Sequence, residues 1–340
     1  MRNESAPTQR DLDTLKDLLL KLLHRLCDDG NAAAAYSPDA QWHGYHPFNE
    51  RTGAEEITGV WAALRDAFSG LTRTDEIAVC SENAPDPRLT GPRPKRMLAT
   101  MGHYTGRFDA PFLGLSPTGQ QVKLRACEAH ALDDRSGLIG ESWVIVDILD
   151  FLRQIGRWPT VPSLGREGAW CAPPTNAVGP SAGSLERVLA MHAALGKFDG
   201  RSLESMPHAQ YWSEDFAWYG PAGIGTTRGL AEFRAHHQIP FLIGFPDRLG
   251  SGHYMRLEDG PLAVTGGWPS VTGTHLGPWL GMPGTGKRVE MRVMDFYRLG
   301  AGGLIEENWV PIDILHMALQ MGVDVLDRAC HLDGHPRTEL

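Results

Sequence analysis

Residues 137–156, GLIGESWVIVDILDFLRQIG, match residues 303–322, GLIEENWVPIDILHMALQMG, without a gap and at a constant offset of 166. Glu141, Trp143, Asp147 and Gly156 thereby meet Glu307, Trp309, Asp313 and Gly322. Upstream, TGRFDAPFLGLSPTG (105–119) matches TGTHLGPWLGMPGTG (272–286) at an offset of 167, and SPDAQWHG (37–44) matches SEDFAWYG (213–220) at 176. Three collinear blocks whose offsets change only in turn-like segments mark an internal duplication. Any fold assigned to one half must also suit the other, so the 340 residues read as two like units rather than one large domain.

Between the copies, RWPTVPSLGREGAWCAPPTNAVGPSAGS (157–184) is dense in Pro, Gly and Ser, which continue neither a helix nor a central strand. The expected units are therefore 8–157 and 184–325, with a linker at 158–183 and a tail at 326–340. Each unit opens with Leu, Ala and Met at three- and four-residue steps, Leu12 to Leu26 and Leu185 to Leu195, the pattern of an amphipathic helix. Later, period-2 runs flank Gly-containing turns: VKLRACEAHAL with GLIGESWVIVD, and VEMRVMDFYRL with GLIEENWVPID. These predict hairpins. Helical spacing returns in ILDFLRQIG and ILHMALQMG, which stop at Gly156 and Gly322. Helices, then a meander of strands, then a closing helix describe an α+β unit.

Acidic residues outnumber basic ones, 41 to 32, and no Lys/Arg block occurs, so the electrostatic footprint of a nucleic-acid binder is missing. The opening residues lack the apolar core of a signal peptide, and no later stretch approaches the length of a membrane span. A cytoplasmic protein without a membrane role is the expectation. Five scattered cysteines, with no C-x-x-C, suggest buried apolar side chains rather than disulfides or a metal site. Dinucleotide, P-loop, nucleophile-elbow and zincin signatures are all missing. What remains is a neutral small molecule as partner.

The ordered set D-x-x-W-x-G, T-G, L-G-x-P/S-x-T-G, G-x-I-x-E-x-W-x-x-x-D-I-L and Q-x-G resembles the SnoaL-like polyketide cyclases of the NTF2-like superfamily, across nearly all of both copies. The resemblance implies two tandem cone-shaped domains, each a curved antiparallel sheet wrapped with helices around an apolar cavity. It also implies pairing through the sheets, which a tandem chain can satisfy internally as a pseudo-dimer, with further homo-oligomerisation compatible.

In such cyclases a carboxylate at the end of the last strand removes an acidic α-proton, which by resemblance points to Asp147 and Asp313. Burial in an apolar cavity raises a carboxyl pKa and makes it a better base for a carbon acid. The alternative is that each aspartate caps the helix that follows it. A histidine on the neighbouring strand assists in the family, and the first copy offers Glu128-x-His130 where the second has Asp295-x-Tyr297. Trp42, His43, His46, His103, Trp143, Trp218, Tyr219, Tyr297 and Trp309 complete the expected cavity lining, with the paired Trp143 and Trp309 equally placed to form a contact between the halves. The polar histidines make the first half the expected acid–base site. His236-His237 reads as a solvated helix face. The leading function is cofactor-independent proton abstraction leading to cyclisation or isomerisation of an apolar carbonyl compound. A non-catalytic binding protein and an NTF2-like hydrolase or dehydratase using Asp147 with His130 are the alternatives. Ser142 and Asn308 precede the tryptophans where relatives often carry His, which removes one acid from the pattern.

Overall fold

The computed structural model describes residues 8–175 and 178–334. The first unit runs α1 (Gln9–Asp29), β1 (Tyr36–Gly44), β2 (Glu50–Thr52), α2 (Gly53–Ala67), β3 (Phe68–Glu82), β4 (Arg96–Phe108), β5 (Gln121–Asp133), β6 (Leu138–Val146) and α3 (Ile148–Gln154). The second runs α4 (Ser184–Leu195), β7 (Trp212–Tyr219), β8 (Thr226–Arg228), α5 (Gly229–Phe233), a π-helical turn (Arg234–Gln238) and α6 (Ile239–Gly244). It continues with β9 (Leu249–Gly250), β10 (Met255–Asp259), β11 (Leu262–Thr274), β12 (Arg288–Leu299), β13 (Ile305–Trp309), α7 (Ile314–Met321) and α8 (Val325–Leu332).

The sheets share one strand order, β2-β1-β6-β5-β4-β3 in the first unit and β8-β7-β13-β12-β11-β10 in the second. Both units are α+β, as the duplicated pattern requires. One departure from an all-antiparallel sheet occurs twice: β1 lies parallel to β6, and β7 parallel to β13. Nearly the whole unit separates the two strands of each pair, which gives the long connection that parallel pairing needs. The repeat extends to uncommon backbone geometry, since matched Leu113 and Leu280 both adopt positive φ, 54° and 47°.

Local signals explain the helices. Thr8 and Asp11 form a reciprocal capping box at the start of α1, and Gly30 closes it in the left-handed conformation. Leu19, Leu23, Leu26 and Cys27 form its buried stripe. Residues 158–183, the expected linker, carry no helix or strand among those described, yet they pack: Trp170 donates to the Gly220 carbonyl and lies under the Arg125 guanidinium. The expected tail forms α8, whose end is fastened to the first unit where Asp333 accepts from Ser116 and Arg157. No described helix is long and apolar enough to cross a membrane.

Strand alternation gives every sheet two apolar faces. Val122, Leu124 and Ala126 of β5, with Val144 and Val146 of β6, join the core beneath the helices. Cys127, Ala129, Ala131, Trp143 and Ile145 point the other way. There they meet Ala217, Tyr219, Met255, Leu257, Val264, Met294, Phe296 and Trp309 of the second unit in one buried cluster. Stacked rings span it: Trp143 lies 4.2 Å from Tyr254 and 5.0 Å from His43, and Tyr219 lies 5.2 Å from Trp309.

Hydrogen bonds fasten the edges of this layer. Asn83 donates to the Tyr254 carbonyl and accepts from the Arg256 N–H, and Asp86 takes the Arg256 guanidinium at 2.6 Å and the His253 N–H at 2.8 Å. Residues 1–165 produced alone would expose Trp143, Ile145, Met97, Ala99 and Met101 together. We expect that fragment to be insoluble or to self-associate in size-exclusion chromatography with light scattering; a monodisperse monomer would contradict the covering role assigned to the second sheet.

Candidate functional site

The face that carries Trp143, Ile145 and Asp147 is the face between the sheets, and this corrects the expectation that it lines a cavity. Asp147 accepts from Asp150 N at 2.9 Å as the N-cap of α3, from Arg125 at 2.6 Å, and from Ala222 N of the other unit at 2.9 Å. Asp313 repeats the arrangement, accepting from His316 N at 3.1 Å, from Arg292 at 3.4 Å, and from His46 N of the other unit at 2.9 Å. Burial raises both carboxyl pKa values, and the adjacent guanidinium draws each back. Each aspartate thus ties its last strand, its closing helix and the opposite unit together.

Other expected site residues divide by the same parity. His43, Trp143, Tyr219 and Trp309 belong to the layer between the sheets. His43 bonds Glu50 at 2.5 Å and Glu141 at 3.2 Å; burial opposes its charge, but these two carboxylates raise its pKa to about 9. His46 supplies the N–H just described from a loop, and His103 pairs with Glu76 at 3.1 Å. Trp42, Trp218, His130 and Tyr297 lie beneath the helices, inside the cones.

The first cone is filled by a buried polar network. Arg73 reaches Glu128 at 2.9 Å, Asp75 at 2.7 Å, the Thr100 hydroxyl at 2.9 Å and the Tyr104 hydroxyl at 2.7 Å. His130 bridges Glu128 at 2.9 Å and Ser142 at 2.7 Å, and Ser142 donates to Tyr36. Tyr104 also donates to Glu128. Burial alone would raise the Glu128 pKa, but Arg73 and then His130 hold it at about 2. The space left among Tyr36, Trp42, Trp61, Tyr104 and Glu128 is about 10 Å³, room for one water molecule. Both nitrogens of His130 are occupied by Glu128 and Ser142, which corrects the expectation of a histidine that assists a substrate in the first half.

The second cone keeps the strand frame and loses the cation. Asp295 on β12 matches Glu128, and Thr265, its cross-strand partner, matches Thr100. Where the first unit has Arg73, the second runs Leu249-Gly250-Ser251-Gly252-His253, and its next cation, Arg256, is taken by Asp86. Among the described residues no cation pairs with Asp295. Burial raises its pKa to about 7, with hydrogen bonds to Tyr297 and Asn308 as the opposing influences. Asp295 as a whole residue is half-buried.

Around it the hydrogen-bonding capacity is incompletely used. The Thr265 hydroxyl has no partner, nor has Nδ1 of His192. The π-helical turn carries His237 onto Trp218, with rings 4.1 Å apart, and burial lowers its pKa to about 3. His237 is therefore a cone-lining residue rather than part of a solvated face. Parity along β12 was the signal that identifies Asp295: Val293 and Tyr297 flank it on the core side, while Met294 and Phe296 lie between the sheets.

Replacing Asp147 or Asp313 by Asn removes one of the carboxylates that hold a buried guanidinium, and we expect each change to destabilise the fold by about 1–3 kcal/mol, read by denaturant unfolding. Arg73→Leu should cost a similar amount near neutrality. Glu128, held at about 2 against an ordinary 4.5, contributes stability above about pH 4.5 that fades toward pH 2. The gap between wild type and Arg73→Leu should therefore narrow as pH falls below about 4.5.

Residues 197–321 match the family model described as SnoaL-like polyketide cyclase. Similar solved structures include a candidate SnoaL-like polyketide cyclase from Jannaschia sp. CCS1, 19% identical, covering 45% of this chain and 97% of its own, with a TM-score of 0.31. AclR, a candidate hydroxylase from Streptomyces galilaeus, is 19% identical over 54% of this chain and 96% of its own, with a TM-score of 0.33. IdmH, a candidate polyketide cyclase from Streptomyces antibioticus, is 21% identical over 42% and 98%, with a TM-score of 0.31. Comparison with curated proteins gave no match.

Proposed function

We propose that this chain, SnoaL-like over residues 197–321, is a cofactor-independent proton-abstracting enzyme of cyclase or isomerase type whose base is Asp295 in the second cone. The observation that carries the reading is the pairing of a retained carboxylate with a lost cation. At the matched position of the first unit, Arg73 neutralises Glu128; in the second, Asp295 stands opposite Thr265, between Val293 and Tyr297 on the core face of β12, without one. A carboxylate so placed holds its proton near neutral pH, which suits it to exchange one with a weakly acidic carbon.

Ionised Asp295 removes a proton α to a carbonyl, the electron pair moves into the C–C–O system to form an enolate, and the enolate either attacks a second carbonyl of the same molecule or is reprotonated. The developing negative charge on oxygen needs donors. The Thr265 hydroxyl, free of partners, and neutral His237 on the π-helical turn are the groups assigned to it. Stacking between Trp218 and Phe241 holds the His237 imidazole in one plane. In this reading the first unit, 8–157, acts as the structural partner of an internal pseudo-dimer, and the second, 184–325, carries the chemistry.

The reading is tested with 2-tetralone, a planar ketone with acidic α-hydrogens, by following α-hydrogen loss in D2O by NMR. Asp295→Asn should lower the exchange rate about 100-fold, the scale of losing a general base, while Asp147→Asn should leave exchange by the folded fraction unchanged. Equal rates for wild type and Asp295→Asn would overturn the assignment.

Stability gives a second check. Asp295 has a folded pKa of about 7 against an ordinary 3.8, so its ionisation destabilises the fold progressively between those values and fully above them. Asp295→Asn should raise the melting temperature by several degrees at pH 8 and by little at pH 4, as calorimetry would show.

A further inference from the structure

We infer that His192 on α4 is a positioning residue for Asp295, holding the Tyr297 hydroxyl so that its proton points at the carboxylate. The inference rests on the reading of Asp295 as base and adds to it the device that orients the base.

Geometry supplies the first step. Nε2 of His192 lies 2.8 Å from the Tyr297 hydroxyl oxygen, and Tyr297 stands two residues from Asp295 on the same face of β12. The Tyr297 ring is almost wholly buried, packed edge-on to His192 at 5.8 Å and to Trp212 at 6.4 Å, so the hydroxyl has few directions in which to turn.

The second step is the histidine tautomer. Its Nδ1 is buried without a partner. A bare N–H there costs more than a bare lone pair, since orphaned buried donors are the rarer event in proteins. The proton therefore resides on Nε2 and is donated to the Tyr297 oxygen, which leaves the tyrosine O–H for Asp295.

Charge keeps this arrangement fixed. The groups facing His192 are Tyr297, His253 at 5.3 Å between rings, and the Arg256 and Arg88 guanidiniums, whose shared counter-ion is Asp86. Burial, then Arg256 and Arg88, hold the His192 pKa at about 4, so the ring stays neutral across the working range. It acts as a fixed donor and does not relay protons. Facing Asp295 are Tyr297, Asn308 and Thr265, none charged near neutral pH.

The first unit shows the alternative. His130 stands where Tyr297 stands, and it is closed off by Glu128 and Ser142 within its own sheet, with no call on the N-terminal helix. Only the second unit recruits a helix residue to aim a proton at its carboxylate.

The test uses full-length protein with carboxyl-13C aspartate, the Asp295 signal being assigned by its loss in Asp295→Asn. Removing one hydrogen bond of about 1 kcal/mol shifts a titration by roughly 0.7 unit. His192→Phe should move the Asp295 midpoint up by about that amount, and His192→Gln, whose amide can donate the same bond, should return it toward wild type. Where Phe is not accommodated, His192→Asn, too short to reach Tyr297, serves for the same comparison. In the His192→Phe and Tyr297→Phe pair, the double variant should shift the midpoint no further than Tyr297→Phe alone. With 2-tetralone, His192→Phe should reduce kcat about fivefold with KM little changed, the size of effect for that free energy. An unmoved Asp295 midpoint in the His192 variants overturns the inference even if Asp295→Asn abolishes exchange; a shifted midpoint sustains it even if Asp295→Asn leaves exchange intact.

Discussion

The apolar layer between the two sheets is the constraint on which the rest of the molecule depends. A strand buried on both faces needs two covers, and each unit makes only one, its own helices. The second cover is the other unit. Trp143, Ile145, Met294, Phe296 and Trp309 therefore belong to neither unit's private core. This accounts for the tryptophans at the centre of the repeat: each matched pair fills a matched place, one half facing the other.

The aspartates of the last strands follow from that layer. Asp147 and Asp313 each stand where a strand gives way to a helix at the seam between units, and each has three sets of donors to satisfy: its own helix, an arginine of its own sheet and an N–H from across the seam. Buried carboxylates with such partners define geometry tightly, because losing any partner strands a charge. Repetition of the arrangement in both halves suits a structural joint, since both joints must hold.

Divergence within the cones has the opposite character. The frame of β4, β5 and β6 recurs in β11, β12 and β13, and the threonine opposite the carboxylate recurs with it. The first unit then satisfies its carboxylate completely, with Arg73, Tyr104 and His130, and fills the space with rings. In the second, the carboxylate is left without a cation, a hydroxyl and a ring nitrogen lack partners, and a π-helical turn brings an imidazole inward. Satisfied polar groups rigidify, and the first cone holds the fuller set.

The amino-acid sequence by itself determined the duplication, the α+β pattern and the helix ends, because these rest on local periodicity and on residue types that only certain backbones accept, such as the glycines after the closing helices. It also put Glu128-x-His130 opposite Asp295-x-Tyr297. Periodicity tells which residues share a face of a strand but not which of two buried faces looks into a cone, and for sheets covered on both sides hydropathy is equal on either. That choice was made by tertiary structure alone. So was the role of Arg73, which sits more than fifty residues from Glu128 in the chain and cancels its charge only through the fold.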